Sequence, residues 1–132
     1  MIAVIDVCGA VEILLSKEKA NNFSKTLKEA TLKIAPDLYI SELTNTLWKF
    51  YNAKILTKEK CVESIKDGIG FVDSFMDANY IWEEAFAEGV DNNHSIYDMF
   101  YMVTARRNNA VLITNDSALA AICKKNRVQV CF

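Results

Sequence analysis

Apolar positions along the chain alternate between two kinds of pattern. Ile2 to Ile5 form a short, partly β-branched apolar run that stops at Asp6. Without polar alternation, it predicts a buried parallel strand. Ala110 to Thr114 is a second such run, ending at Asn115-Asp116, and Val128 to Phe132 predicts a last strand. Between them the spacing turns helical. Val11, Leu14 and Leu15 share one face of a predicted helix over Gly9–Lys17. A lysine-rich amphipathic helix is expected from Ser24 to about Lys33, broken by Ala35-Pro36-Asp37, with Leu38 to Ile40 as a short strand.

Ser41 has the chemistry of an N-cap for the next helix. Its Leu43, Leu47, Phe50 and Tyr51 make a core stripe, with Glu42, Asn45 and Lys49 on a neighbouring polar strip. Thr57 can cap a helix running through Ile65. The stretch from Gly68 to Asn93 gives one helix around Ile81 to Ala87. Ser95 opens a helix to about Asn108, apolar at Met99, Met102, Val103 and Ala105, and Ser117 to Lys125 is another. Strands alternating with helices predict an α/β domain whose mainly parallel sheet is packed on both faces.

Composition narrows the class. With 132 residues, 52% of them hydrophobic and 24% charged, the chain suits one domain over 1–132, and disorder is excluded. No apolar run approaches the length of a membrane span, and no basic segment with an apolar stretch resembles an export signal, so a cytoplasmic protein is expected. Four irregularly spaced cysteines without a CxxC, beside a single histidine, suit neither a zinc site nor a disulfide scaffold. They read as reduced, mostly buried thiols. A net charge of −2 excludes a generally basic nucleic-acid-binding coat.

The acids carry the candidate chemistry. Asp6 follows the first strand, Glu42 begins the helix after the second, Asp116 ends a later strand, and Asp98 lies in the first turn of the helix before that strand. Ligands of open parallel sheets bind outside the carboxyl ends of the strands, which is where these acids are expected to meet. Two unit charges about 4 Å apart repel by roughly 4 kcal/mol at an effective dielectric of 20. Such a cluster persists by retaining protons or binding a cation, and an all-oxygen donor set suits Mg²⁺ or Mn²⁺. Each acid also has a structural reading. Asp98 completes an S-x-x-D capping box with Ser95, Asp116 can cap the helix at Ser117, and Glu42 sits favourably in a helix dipole. Asp6, ending a buried strand, is the hardest to treat as purely structural. Cys8 lacks an evident histidine partner and is read as a buried thiol. Arg106-Arg107 and Lys124-Lys125 with Arg127 read as solvated charges, and only secondarily as phosphate contacts.

Val4-Ile5-Asp6, Ser41-Glu42-Leu43-x-Asn45-x-Leu47-x-Lys49, Tyr97-Asp98-x-x-Tyr101-x-x-x-Ala105, Leu112-Ile113-Thr114-Asn115-Asp116-x-x-Leu119 and the ending Asn126-Arg127-Val128-Gln129-Val130 stand in an order that resembles the PIN-domain family. The resemblance is to the VapC-like toxin ribonucleases of type II toxin–antitoxin pairs, and it spans essentially the whole chain. It implies a PIN-like three-layer α/β/α sandwich and a metal-dependent endoribonuclease that hydrolyses RNA phosphodiester bonds. Asp6, Glu42, Asp98 and Asp116 would hold Mg²⁺ or Mn²⁺, Thr114 and Asn115 would shape the site, and Asn45 would support it. A cognate antitoxin and a homodimer are implied in the same way. Cys8 departs from the serine, threonine or asparagine common at its position, and residues 68–93 match nothing specific. The alternatives are an RNA-processing nuclease outside a toxin–antitoxin pair, and a non-catalytic PIN-like module that binds nucleic acid or protein. A phosphate-receiving signalling domain lacks its paired acids here, and a haloacid-dehalogenase-like phosphatase would need an aspartate where Cys8 stands.

Overall fold

A computed structural model describes all 132 residues. Five strands, β1 (Ile2–Ile5), β2 (Leu32–Pro36), β3 (Ser74–Met76), β4 (Val111–Ile113) and β5 (Val130–Cys131), form one sheet in the order β3-β2-β1-β4-β5. Every neighbouring pair is parallel. Ile2 is in register with Leu32, and Ile5 with Ile113. From β1 the chain builds outward through β2 and β3, then returns to the other side of β1 for β4 and β5. The order therefore reverses between β1 and β4, which is the ligand-binding point of such sheets.

Seven α-helices complete the chain: α1 (Val7–Leu14), α2 (Ala20–Glu29), α3 (Leu38–Asn52), α4 (Lys58–Ile69), α5 (Trp82–Asn92), α6 (Ile96–Arg107) and α7 (Ser117–Lys125). A single 3₁₀ turn at Ala78–Tyr80 precedes α5. Both α2 and α6 pack on β1 and β4, and the result is a helix–sheet–helix sandwich. β1 is its centre, with Ala3, Val4 and Ile5 fully buried. No helix is long and apolar enough to cross a membrane.

The strand after α2 differs from expectation. α2 ends at Glu29, Ala30 is extended, and Leu32–Pro36 pair with both β1 and β3. Pro36 closes a strand rather than breaking a helix, because a proline is tolerated at a strand end. Residues 38–40 are then the first turn of α3, Ser41 lies inside that helix, and Asp37 occupies the cap position without a capping bond. The stripe on α3 shifts accordingly. Tyr39, Leu43 and Leu47 are fully buried, Phe50 is half-buried, and Tyr51 is exposed. Thr57 caps α4 by accepting from the Lys60 N–H at 3.2 Å. β3 lies within the 68–93 stretch, where no strand was expected. All four cysteines are free thiols, though Cys8 is exposed rather than buried.

Candidate active site

Asp6 is built into the end of β1. Its N–H donates to Ile113 O (3.1 Å), tying it to β4, and its Oδ1 accepts from Gly9 N (2.7 Å), capping α1. A Cβ on Gly9 would meet Ile113 O at 2.7 Å, so only glycine lets α1 start this close to β4. Thr114, fully buried, donates from Oγ1 to Asp6 Oδ2 and accepts from Asp116 N at 3.0 Å. Asp116 Oδ1 in turn accepts from Leu119 N (2.9 Å), capping α7. One relay, Gly9–Asp6–Thr114–Asp116–Leu119, thus locks the ends of β1 and β4 to the first turns of two helices. Both helix starts favour negative charge there. For Asp116, the cap and the candidate site are the same side chain.

Glu42 and Asp98 reach this edge from helices. Glu42, in the second turn of α3, accepts from Tyr101 Oη at 2.6 Å. Asp98 does not form the capping box expected with Ser95, whose side chain caps nothing. Its Oδ2 instead meets His94 Nε2 at 2.7 Å, one turn earlier. Tyr101, Asp98 and His94 therefore present their polar ends from one stretch of chain. Tyr101 and His94 have roles that the sequence left unassigned. The signal available was spacing alone, since Asp98 lies three residues before Tyr101 and four after His94.

The four acids share one electrostatic field. Burial pushes the Asp6 carboxyl up to about 7, against the lowering pull of its Thr114 and Gly9 bonds, and the charges of Asp98 and Asp116 push the same way. Glu42 is also raised, first by burial and then by Asp98, although its Tyr101 bond opposes this. Asp98 is raised by burial, with Asp116 adding to the rise and His94 opposing it. Cys8 lies within the field of all four. Partial desolvation of its thiol, then Asp6, Asp116, Asp98 and Glu42, push it up to about 12, so it stays protonated and is no nucleophile. Tyr101 is raised by burial and by Glu42, which keeps it a hydrogen-bond donor.

No lysine or arginine pairs with any of the four. Glu42, Asp98 and Asp116 each commit one carboxylate oxygen to a protein donor and leave the other without one. That is the chemistry of a hard divalent cation site. No three His, Cys, Asp or Glu side chains are drawn into a ready-made cage. An all-oxygen donor set is of the kind that an ion such as Mg²⁺ accepts, since that ion keeps several waters and takes only one or two carboxylates directly.

The remaining candidates divide. Asn115 turns away from the acids and donates from Nδ2 to Glu12 Oε1 (2.9 Å). Asn45 is exposed on α3 and makes no side-chain hydrogen bond, so it stays outside the network. Arg106 and Arg107 are held by Glu84, and Arg106 also by Glu88. These bonds occupy them in joining α5 to α6 rather than leaving them for phosphate.

No family model matches the chain. Along its length it is similar to Ribonuclease VapC3 of Pyrobaculum aerophilum, 22% identical over 119 residues, covering 89% of this chain and 91% of that one. The crystal structure of PAE2754 from Pyrobaculum aerophilum matches with a TM-score of 0.74 at 20% identity, over 92% of this chain and 87% of that one. The fold is PIN-like. VapBC2 of Rickettsia felis, solved bound to a DNA fragment from its promoter, has a chain that matches with a TM-score of 0.65 at 17% identity, over 99% of this chain and 98% of its own. The chain thus resembles VapC-like PIN-domain proteins over nearly its whole length, with the α/β/α architecture that the resemblance implied.

Proposed function

We propose that this protein is a metal-dependent endoribonuclease, the toxin of a type II toxin–antitoxin pair. The observation that carries the reading is a set of four carboxylates, from β1, α3, α6 and the β4–α7 junction, gathered without a lysine or arginine partner where the strand order reverses. A relative of matching length is a ribonuclease, and a structural neighbour assembles as VapBC2.

When bound, Mg²⁺ or Mn²⁺ supplies Lewis acidity and an activated water for in-line attack on a phosphodiester. The residues of the chain arrange that chemistry. Thr114 fixes Asp6 against Asp116, Tyr101 aims Glu42, and His94 aims Asp98. Such outer partners orient ligands and typically matter 10–100-fold. Since Asp6 holds a proton up to about pH 7, ion uptake at neutral pH releases protons. Single-stranded or loop RNA suits a cleft at a strand edge, because its backbone and bases are free to splay. Trp82, Phe86 and Val90 expose an apolar stripe on α5, and Trp48 and Tyr51 another patch on α3. Exposed apolar faces of this kind suit protein partners, here an antitoxin and a second copy.

The test is cleavage of a fluorogenic RNA with Mg²⁺, Mn²⁺ or EDTA, for the wild type and Asp116→Asn. Cleavage should need the ion and vanish in the variant, while EDTA-state stability stays within about 1 kcal/mol, because asparagine also caps. RNA binding without cleavage would favour the binding-module alternative.

A further inference from the structure

Beside the acids lies a cleft of about 180 Å³ that the cleavage chemistry does not use. Val7, Cys8 and Val11 of α1 line its less polar side, and its polar lining is Glu12, Lys17, Thr46 and Asn115. It adjoins the candidate active site by connectivity. Asn115 precedes Asp116, and Thr46 stands one turn beyond Glu42, to whose carbonyl its hydroxyl donates at 2.9 Å.

Glu12 is the unusual member. It is 6% exposed, and no lysine or arginine pairs with it. Its carboxylate is fixed by Asn115 Nδ2 at 2.9 Å and Lys19 N at 3.2 Å. Each oxygen keeps a further lone pair. Thr46 spends its proton on Glu42, and Asn115 Oδ1 has no donor, so both present acceptors. The one cation is Lys17. Ser16, at φ 51°, turns the end of α1 so that Lys17 N closes on Glu12 O at 2.9 Å. The Lys17 ammonium then lies 5.6 Å from the Phe50 ring centre.

We propose that this cleft is a nucleobase subsite selective for guanine. The volume is below that of drug-sized pockets and suits a single base between the valine walls. The lining offers one cationic donor beside several acceptors. Guanine presents the complement on its Watson–Crick edge, with the O6 acceptor beside the N1–H and N2–H₂ donors. Adenine and cytosine place an amino donor beside a ring acceptor, and uracil flanks one donor with two acceptors. Reading a splayed base by its Watson–Crick edge is the usual route to specificity in single-stranded RNA. Lys17 would meet O6, and Glu12 the two donors.

The inference rests on the ribonuclease reading for its RNA substrate, so the decisive test is made without cleavage. Guanosine and uridine are titrated into ¹⁵N-labelled, metal-free protein, following the Asn115 side-chain amide. Guanosine should shift that amide and bind roughly tenfold tighter than uridine, the range expected of a good bidentate base contact. Glu12→Gln should abolish the difference. Lys17→Met, at an exposed position and therefore safe for folding, should narrow it. Equal binding of the two nucleosides, or guanosine shifts that leave Asn115 unmoved, would overturn the subsite. A second arm sequences the ends cut from a randomised RNA pool. Guanine should be enriched at one fixed position and relaxed by Lys17→Met, and an unchanged preference would overturn the role of Lys17. Failure of the pool to be cut would count against the nuclease alone, because the nucleoside titration reads the cleft independently.

Discussion

Where α5 meets α6, and where β1 meets β4, the protein gathers carboxylates in opposite electrostatic settings. At the helix joint, Arg106 Nη2 reaches Glu84 Oε1 at 2.6 Å and Glu88 Oε1 at 2.8 Å, and Arg107 Nε reaches Glu84 Oε2 at 2.6 Å. Burial pushes the Glu84 carboxyl up, but the bonds and charges of both arginines outweigh it and hold it below its usual range. At the sheet edge there is no such partner, and Asp6 rises to about 7. Acids matched by arginine explain themselves as a joint. Acids left unmatched, each with a donor fixing its orientation, have no such account as a joint, which makes them candidates for a functional site.

Asp6→Asn should break the contrast with the largest effect. Cleavage should fall by more than the roughly 10–100-fold that loss of an outer partner costs. Metal-free stability should move the other way. The folded pKa of Asp6 lies above its unfolded value of 3.8, so between these values the native state binds more protons than the unfolded one. Stability must then fall as pH rises from about 4 to about 7, and Glu42 and Asp98, also raised, act in the same direction. Asparagine still caps α1 but has no charge to bury. Thermal unfolding in EDTA at pH 7 should show Asp6→Asn at least as stable as wild type, with a flatter pH profile, although the amide replaces one of the two acceptors that Gly9 and Thr114 use. Mg²⁺ should stabilise the wild type and not the variant. A variant less stable at pH 7 would show that Asp6 serves the fold rather than a ligand.

How much of this was readable beforehand follows from where each signal resides. β1 and α7 were legible because an apolar run meets a capping aspartate within a few residues, and the cap is local. The positions of Asp6 and Asp116 were legible for the same reason, each being both a strand end and a helix start. β2 was misplaced because the lysine-rich pattern of α2 runs straight into it. Helix and strand periodicities are ambiguous over so few residues, and parallel pairing with β1 decided the matter. β3, three residues long, draws its identity from Ile34, Ala35 and Pro36 beside it. Tyr101 and Glu42 are 59 residues apart, so no spacing rule joins them. In the sequence Glu12 is only a charge within an apolar stretch. Its partner Asn115 arrives from 103 residues away.

Glu84→Gln sharpens the comparison from the paired side. It removes the shared carboxylate while keeping its shape, leaving Arg106 with Glu88 alone. These side chains are partly exposed, and exposed pairs contribute about 0.2–1 kcal/mol each. A loss of roughly 1 kcal/mol in denaturant unfolding is expected, with RNA cleavage unchanged. A large drop in cleavage at unchanged stability would mean that the joint communicates with the sheet edge.

Asp98 lies between the two cases, since it has one partner capable of carrying charge, His94, and otherwise faces the unmatched acids. The sequence offers it both a capping box with Ser95 and a place among the four acids, and in the structure it meets His94 while the Ser95 side chain makes no cap bond. Ser95→Ala decides between these with the smallest effect. A working serine cap contributes about 0.5–2 kcal/mol, and α6 would lose that amount on substitution. Here the Ser95 side chain caps nothing, and Asp98 is oriented from His94. Ser95→Ala should therefore change stability by less than about 0.5 kcal/mol, as ordinary surface substitutions do, and leave cleavage intact. Thr57→Ala is the internal control, because that hydroxyl does accept from Lys60 N at 3.2 Å, and its loss should register at about 1 kcal/mol. Equal losses in the two variants would return Asp98 to the helix cap and leave three acids at the sheet edge.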